Sequence, residues 1–137
     1  MLISRKSWKP GDSRQSSRVI NAEMVRAFAT LSGDSNPVHL DAEYAATTVF
    51  KKPIAHGMLV ASTISALIAM EIPGPGAIYL AQDLRFLKPV YFGDEITTDV
   101  SVEAYDEQAG RMTLRTCCRN QRGEEVISGM AKILYRP

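Results

Sequence analysis

Cysteine is scarce in this chain: 137 residues contain two, adjacent at Cys117 and Cys118. Neighbouring side chains of an extended strand point to opposite faces, so a bridge between them is disfavoured. A reducing compartment, the cytoplasm, is therefore expected. A surplus of one charge is missing too. Sixteen Lys and Arg face 15 Asp and Glu, a formal net charge of +1. A general nucleic-acid binder would carry a basic surplus, so that class is excluded. Long apolar runs are also absent. The longest, Gly57 to Met70, is interrupted by Ser62, Thr63 and Ser65 and is shorter than the ~20 residues that cross a bilayer. The N-terminal MLISRKSWKPGDSRQSS turns basic and polar after its first three residues, so no signal peptide is expected.

What is there suits one globular domain over residues 1–137. Apolar residues make up 45% of the chain and charged residues 23%, ordinary values that argue against disorder. A chain of this length buries ~68% of its unfolded surface, enough for a core without staples.

Residues 1–20 read as an irregular lead-in with a turn at Pro10-Gly11-Asp12. Asn21 suits a helix N-cap, Met24, Val25, Phe28 and Leu31 follow at helical spacing, and Gly33 suits the helix end. Pro37 disfavours helical geometry at Asn36, so Asp34 to His39 is expected to be a loop. A short helix is expected from Asp41 through Ala46. Gly57–Met70 is apolar or small all round, the pattern of a helix buried on most of its circumference. Pro73-Gly74-Pro75-Gly76 ends it. Four extended runs follow: Ala77–Phe86, Glu95–Tyr105, Arg111–Asn120 and Glu125–Tyr135. Period-two alternation is clearest in the second and third. Strands of this length span roughly 33–36 Å and the helix about 21 Å, so a long antiparallel sheet can curl around one central helix. This is an α+β arrangement.

Two segments draw attention chemically. Asp34 and His39 share a loop closed by Asn36-Pro37, and on such a loop both side chains can enter one pocket. A carboxylate and an imidazole held together can deprotonate a water. The same residues also suit a plain Asx turn at Asp34. The second segment is Ala55-His56-Gly57. The first amides of a helix lack intrahelical partners and carry partial positive charge, which suits an oxygen gaining negative charge. Gly57 has no Cβ to keep a ligand from its backbone; packing against strands is the other use for it. The two histidines with Asp34 and Asp41 fit no recognised metal-ligand spacing. There is no Gly-x-Ser-x-Gly and no phosphate-binding glycine loop, so neither a serine hydrolase of that type nor a nucleotide cofactor is expected.

Taken in order, Gly33-Asp34-Ser35-Asn36-Pro37-Val38-His39-Leu40-Asp41, Tyr44-Ala45, Phe50 and Pro53-Ile54-Ala55-His56-Gly57-Met58-Leu59 closely resemble the hydratase signature of MaoC-like dehydratases. Within that family the chain looks most like the single-domain (R)-specific enoyl-CoA hydratases. Phe86-Leu87-Lys88-Pro89-Val90 and Gly93-Asp94-Glu95-Ile96 look like strands that follow in the same family. The resemblance implies a hot-dog fold, a homodimer and no cofactor. It carries the catalytic pair onto Asp34 and His39, the oxyanion donor onto the Gly57 amide, and an assisting serine of the central helix onto Ser65. The implied substrate is an enoyl-CoA or 3-hydroxyacyl-CoA, with acyl carrier protein as the alternative carrier. Lys51, Lys52, Arg85 and Lys88 are candidates for the carrier's phosphates or acidic surface, and Ile64, Ile68 and Met70 for the depth of the acyl pocket. Competing readings are a hot-dog acyl-CoA thioesterase, a 3-hydroxyacyl-carrier-protein dehydratase, and a non-catalytic acyl-thioester binder.

Overall fold

The computed structural model describes residues 7–136. Its order is β1 (Ser13–Val19), α1 (Ala22–Ser32), α2 (Pro37–Leu40), α3 (Ala42–Ala46), α4 (Gly57–Met70), β2 (Ile78–Gln82), β3 (Arg85–Phe86), β4 (Glu95–Asp106), β5 (Arg111–Arg119) and β6 (Glu125–Leu134). The strands form one antiparallel sheet in the order β1-β4-β5-β6-β2, with β3 also pairing to β6. Helix α4 lies across the face made by β4 and β5. This is the expected hot-dog arrangement.

Helix α4 buries Val60, Ala61, Ile64, Leu67 and Ile68, which recur at one helical face. They meet the alternating inward residues Ile96, Val100, Val102, Met112, Leu114, Ile127 and Ile133. Each fully buried aliphatic side chain of this kind stabilises the fold by about 1.5–3 kcal/mol relative to its exposed state. A small polar cluster is set into this interface. The Thr63 and Thr98 hydroxyls lie 2.7 Å apart, with the Cys118 thiol 3.7 and 3.6 Å from them.

Cys117 and Cys118 are both free and point to opposite sides of β5, Cys118 into the core. Burial first, and then the hydrogen bond to Glu125, pushes the Cys117 thiol up to about 12. Such a thiol is almost entirely protonated at neutral pH and a poor nucleophile.

Several sequence expectations need correction. Residues 13–19 are not irregular: they form β1, paired along β4. Every residue of β1 is exposed, so it is held by main-chain bonds at a polar sheet edge and leaves no alternating pattern to read. The first six residues of the expected lead-in lie outside the described residues. The loop after Asp34 becomes a turn of helix at Pro37, because Asn36 caps it and proline is at home in a first helical turn. Helix α4 is not buried on most of its circumference within one chain. Met58, Ser62, Ser65, Ala66, Ala69 and Met70 leave an exposed flank.

The run Ala77–Phe86 is two strands. At the break, the Asp83 amide donates to the Met130 carbonyl at 3.0 Å and the Asp83 carboxylate accepts from the Met130 amide at 3.2 Å. The Asp83 backbone also presses on Gly129, where a Cβ would lie 2.0 Å from the Asp83 carbonyl oxygen. Backbone cannot yield as a side-chain tip does. Gly129→Ala is therefore expected to lower stability by about 3 kcal/mol or more, at the upper end of overpacking costs. Urea unfolding checks this; an unchanged midpoint would contradict it.

Candidate active site

Three segments converge beside the N-terminus of α4. Gly33 closes α1 in the left-handed conformation, φ 81°, and donates to the Ala29 carbonyl. This turns the chain so that Asp34 begins the next loop. The Asp34 carboxylate accepts the Asn36 amide at 3.2 Å, so the Asx turn weighed from the sequence is present. It coexists with the site. Asn36 in turn caps α2 by accepting the Val38 amide at 3.1 Å, and α2 carries His39.

The segment before α4 completes the arrangement. The Ile54 amide donates to the Val38 carbonyl at 3.2 Å. The Ile54 carbonyl lies 2.7 Å from His39 Nδ1. A carbonyl only accepts, so Nδ1 carries the hydrogen and the neutral ring keeps its lone pair on Nε2. His56 Nε2 lies 2.9 Å from the Asp34 main-chain carbonyl, so that nitrogen is likewise the donor. The imidazoles of His39 and His56 stack with centroids 3.8 Å apart. Donor atoms of Asp34, His39 and His56 all fall within 4.8 Å of one another. Spacing along the chain therefore missed a set of three potential metal ligands, which the fold assembles from separate segments.

Gly57 opens α4, and His56 at its N-cap makes no side-chain capping bond to the helix. The Leu59 amide donates to the His56 carbonyl at 3.1 Å, which leaves the Gly57 and Met58 amides for another acceptor. A cavity of about 500 Å³ is lined by His39, Gly57, Val60, Phe86, Val90 and Ile127, with further mostly apolar neighbours. The Phe86 ring fills the place a side chain at 57 would take, since a Cβ there would lie 2.6 Å from it.

The structure brings Asp34, His39 and Gly57 together. Ser65 lies eight positions after Gly57, about 12 Å along the helix axis, on the exposed flank of α4 that begins at the cavity-lining Met58. Of the candidate basic residues, Lys88 lines the cavity and pairs with Glu124 at 2.8 Å. Hydrogen bonds from Lys88, then Asn120 and Arg122, hold the Glu124 carboxyl down to about 2. The Lys52 ammonium lies 5.0 Å from the Tyr91 ring centroid. Lys51 and Arg85 are exposed. Ile64 and Ile68 are core residues, whereas Met70 is exposed on the helix flank. Sequence reasoning gave His56 no role of its own. Its apolar setting, Ile54-Ala55-His56 before an apolar helix, was the available sign that it is buried.

This pairing of fold and loop has close relatives. Residues 7–121 match the MaoC-like domain family. The (R)-specific enoyl-CoA hydratase of Aeromonas caviae is 44% identical over 131 residues, covering 96% of this chain and 98% of that one. The (R)-specific enoyl-CoA hydratase of Rhodospirillum rubrum is 44% identical over 126 residues, 92% of this chain and 87% of that one. The solved structure of the A. caviae (R)-hydratase involved in PHA biosynthesis superposes with a TM-score of 0.92, covering 97% of this chain and 100% of that one at 44% identity. The chain belongs to the MaoC-like family, among its hydro-lyases.

Proposed function

We propose that this chain, acting as a single domain, adds water reversibly across trans-2-enoyl-CoA to give (R)-3-hydroxyacyl-CoA. The observation that carries the reading is one cavity faced by both His39 and the N-terminal amide of α4, with Asp34 beside His39. The match to two (R)-specific enoyl-CoA hydratases over most of the chain supports the substrate and the stereochemistry.

The chemistry follows from the groups present. Water is too weak a nucleophile for an alkene at neutral pH, so a base must take its proton as it attacks. The unprotonated Nε2 of His39 and the Asp34 carboxylate hold one water and accept that proton. Its oxygen bonds to C3, and the C2–C3 π electrons shift toward the thioester, placing negative charge on the carbonyl oxygen. The Gly57 amide donates to this oxygen with the field of the helix N-terminus behind it. The proton returns to C2 from the same side. The apolar lining from Val60, Val90 and Ile127 receives the acyl chain. The reading assigns the water to Asp34 and His39, with Ser65, on the flank of α4 that starts at the cavity-lining Met58, as the residue that assists them. No step needs a metal or cofactor. Release of free thiol from acyl-CoA without hydration would favour a thioesterase instead.

The same reading includes a homodimer. Strand β2 is a sheet edge on which Ile78, Tyr79 and Leu80 are all exposed, and Met58, Met70, Phe86 and Leu87 add to the apolar surface. Exposed apolar edges of this kind invite a partner. Leu80→Glu is expected to shift the protein from dimer toward monomer in sedimentation analysis. A wild-type monomer at micromolar concentration would contradict the dimer.

A further inference from the structure

His56 is buried, 2% exposed, at the point where the three site segments meet. Its ring is held between Phe28, centroid distance 4.8 Å, and His39, 3.8 Å. Its Nε2–H donates to the Asp34 carbonyl at 2.9 Å. Its own main chain leads directly into Gly57. One side chain therefore touches the residue bearing the carboxylate and the ring bearing the base, and it adjoins the proposed oxyanion donor.

The other ring nitrogen gives a second, independent observation. With the hydrogen on Nε2, Nδ1 is a bare acceptor. It is buried and has no hydrogen-bond partner among the described residues. A buried acceptor left unpaired costs stability, and an apolar ring of similar size would avoid that cost. Packing alone thus favours phenylalanine at this position. The imidazole has a return that phenylalanine lacks: the bond to Asp34.

We infer that His56 is a positioning residue for the hydration: it fixes the Asp34 loop through its Nε2–H and fixes the His39 ring by stacking. It touches no reacting atom. Its effect arises because a general base displaced by about 1 Å can lose on the order of 10²-fold in rate. The inference rests on the hydratase reading and adds to it a residue which that mechanism does not use.

The test compares His56→Phe, His56→Gln and His56→Asn with the wild type in crotonyl-CoA hydration, with thermal melting of each. Phenylalanine keeps the stacked ring and loses the donor. Glutamine places an N–H where Nε2 stands, whereas asparagine is one carbon too short. The expected result is a kcat 10–100-fold lower for His56→Phe at a KM within about threefold of wild type, with a melting temperature equal or higher. His56→Gln is expected to restore most of the lost kcat and His56→Asn to restore little. A folded His56→Phe with wild-type kcat overturns the inference, as does equal impairment of the Gln and Asn variants. If the Phe variant does not fold, the Gln and Asn pair decides alone. Wild-type hydration reports on the hydratase reading separately: with activity present and no split among the variants, only the role of His56 falls. An inactive wild type removes both.

Discussion

Replacing His39 by alanine lowers kcat for crotonyl-CoA hydration about 10³-fold, within the range that positioned acid–base groups contribute. The expectation rests on geometry. The Ile54 carbonyl occupies the Nδ1 hydrogen, which leaves Nε2 as the basic nitrogen, and His39 lines the cavity that also reaches Gly57. Asp34→Asn is expected to cost a similar factor. Asparagine keeps the oxygen that accepts the Asn36 amide, so the turn survives while the charge is lost. Because both groups hold the same water, the double variant should lie little below either single one. Single-turnover hydration followed at the enoyl-thioester absorbance measures this. Wild-type rates in either folded single variant would remove that residue from the mechanism.

The second large effect separates an amide from the residue that carries it. Gly57→Pro deletes the N–H at the first position of α4, a place where proline fits a helix. The preceding residue already has the required backbone, since His56 is extended at φ −59°, ψ 132°. Gly57→Ala keeps the N–H and introduces the same Cβ against the Phe86 ring, an exposed side chain that can shift. The alanine variant therefore controls for crowding. Relative to it, the proline variant is expected to lose about 10²–10³ in kcat, the usual cost of one oxyanion donor. Equal kcat in the two variants would show that the oxygen is stabilised elsewhere.

How much of this was legible in the sequence depended on how local the determinants are. Helix α4 starts and ends where Gly57 and the break after Met70 place it, and α1 is framed by Asn21 and Gly33, because caps act within one turn. Strands β4, β5 and β6 were readable because one face of each is buried, which writes period two into the residues. Strand β1 was not, since both of its faces are exposed and its partner lies more than 75 positions away in β4. The break between β2 and β3 depends on the Asp83 backbone meeting Gly129, a contact no local pattern encodes.

The site divides in the same way. Asp34 and His39 were recognisable because one proline-closed segment carries both. Gly57 was recognisable because it opens an apolar helix. His56 acquires its place from Phe28 on α1 and His39 on α2, so only the folded chain shows the stack. Ser65 was placed by resemblance, and helix geometry puts it about 12 Å further along α4 from Gly57.

The central claim is that this cavity hydrates an enoyl thioester with one handedness. The most direct measurement is hydration of crotonyl-CoA by the purified wild-type protein, with chiral separation of the product. The account predicts consumption of the enoyl thioester and (R)-3-hydroxybutyryl-CoA as the product. Formation of the (S) isomer, or release of free coenzyme A without hydration, would contradict it.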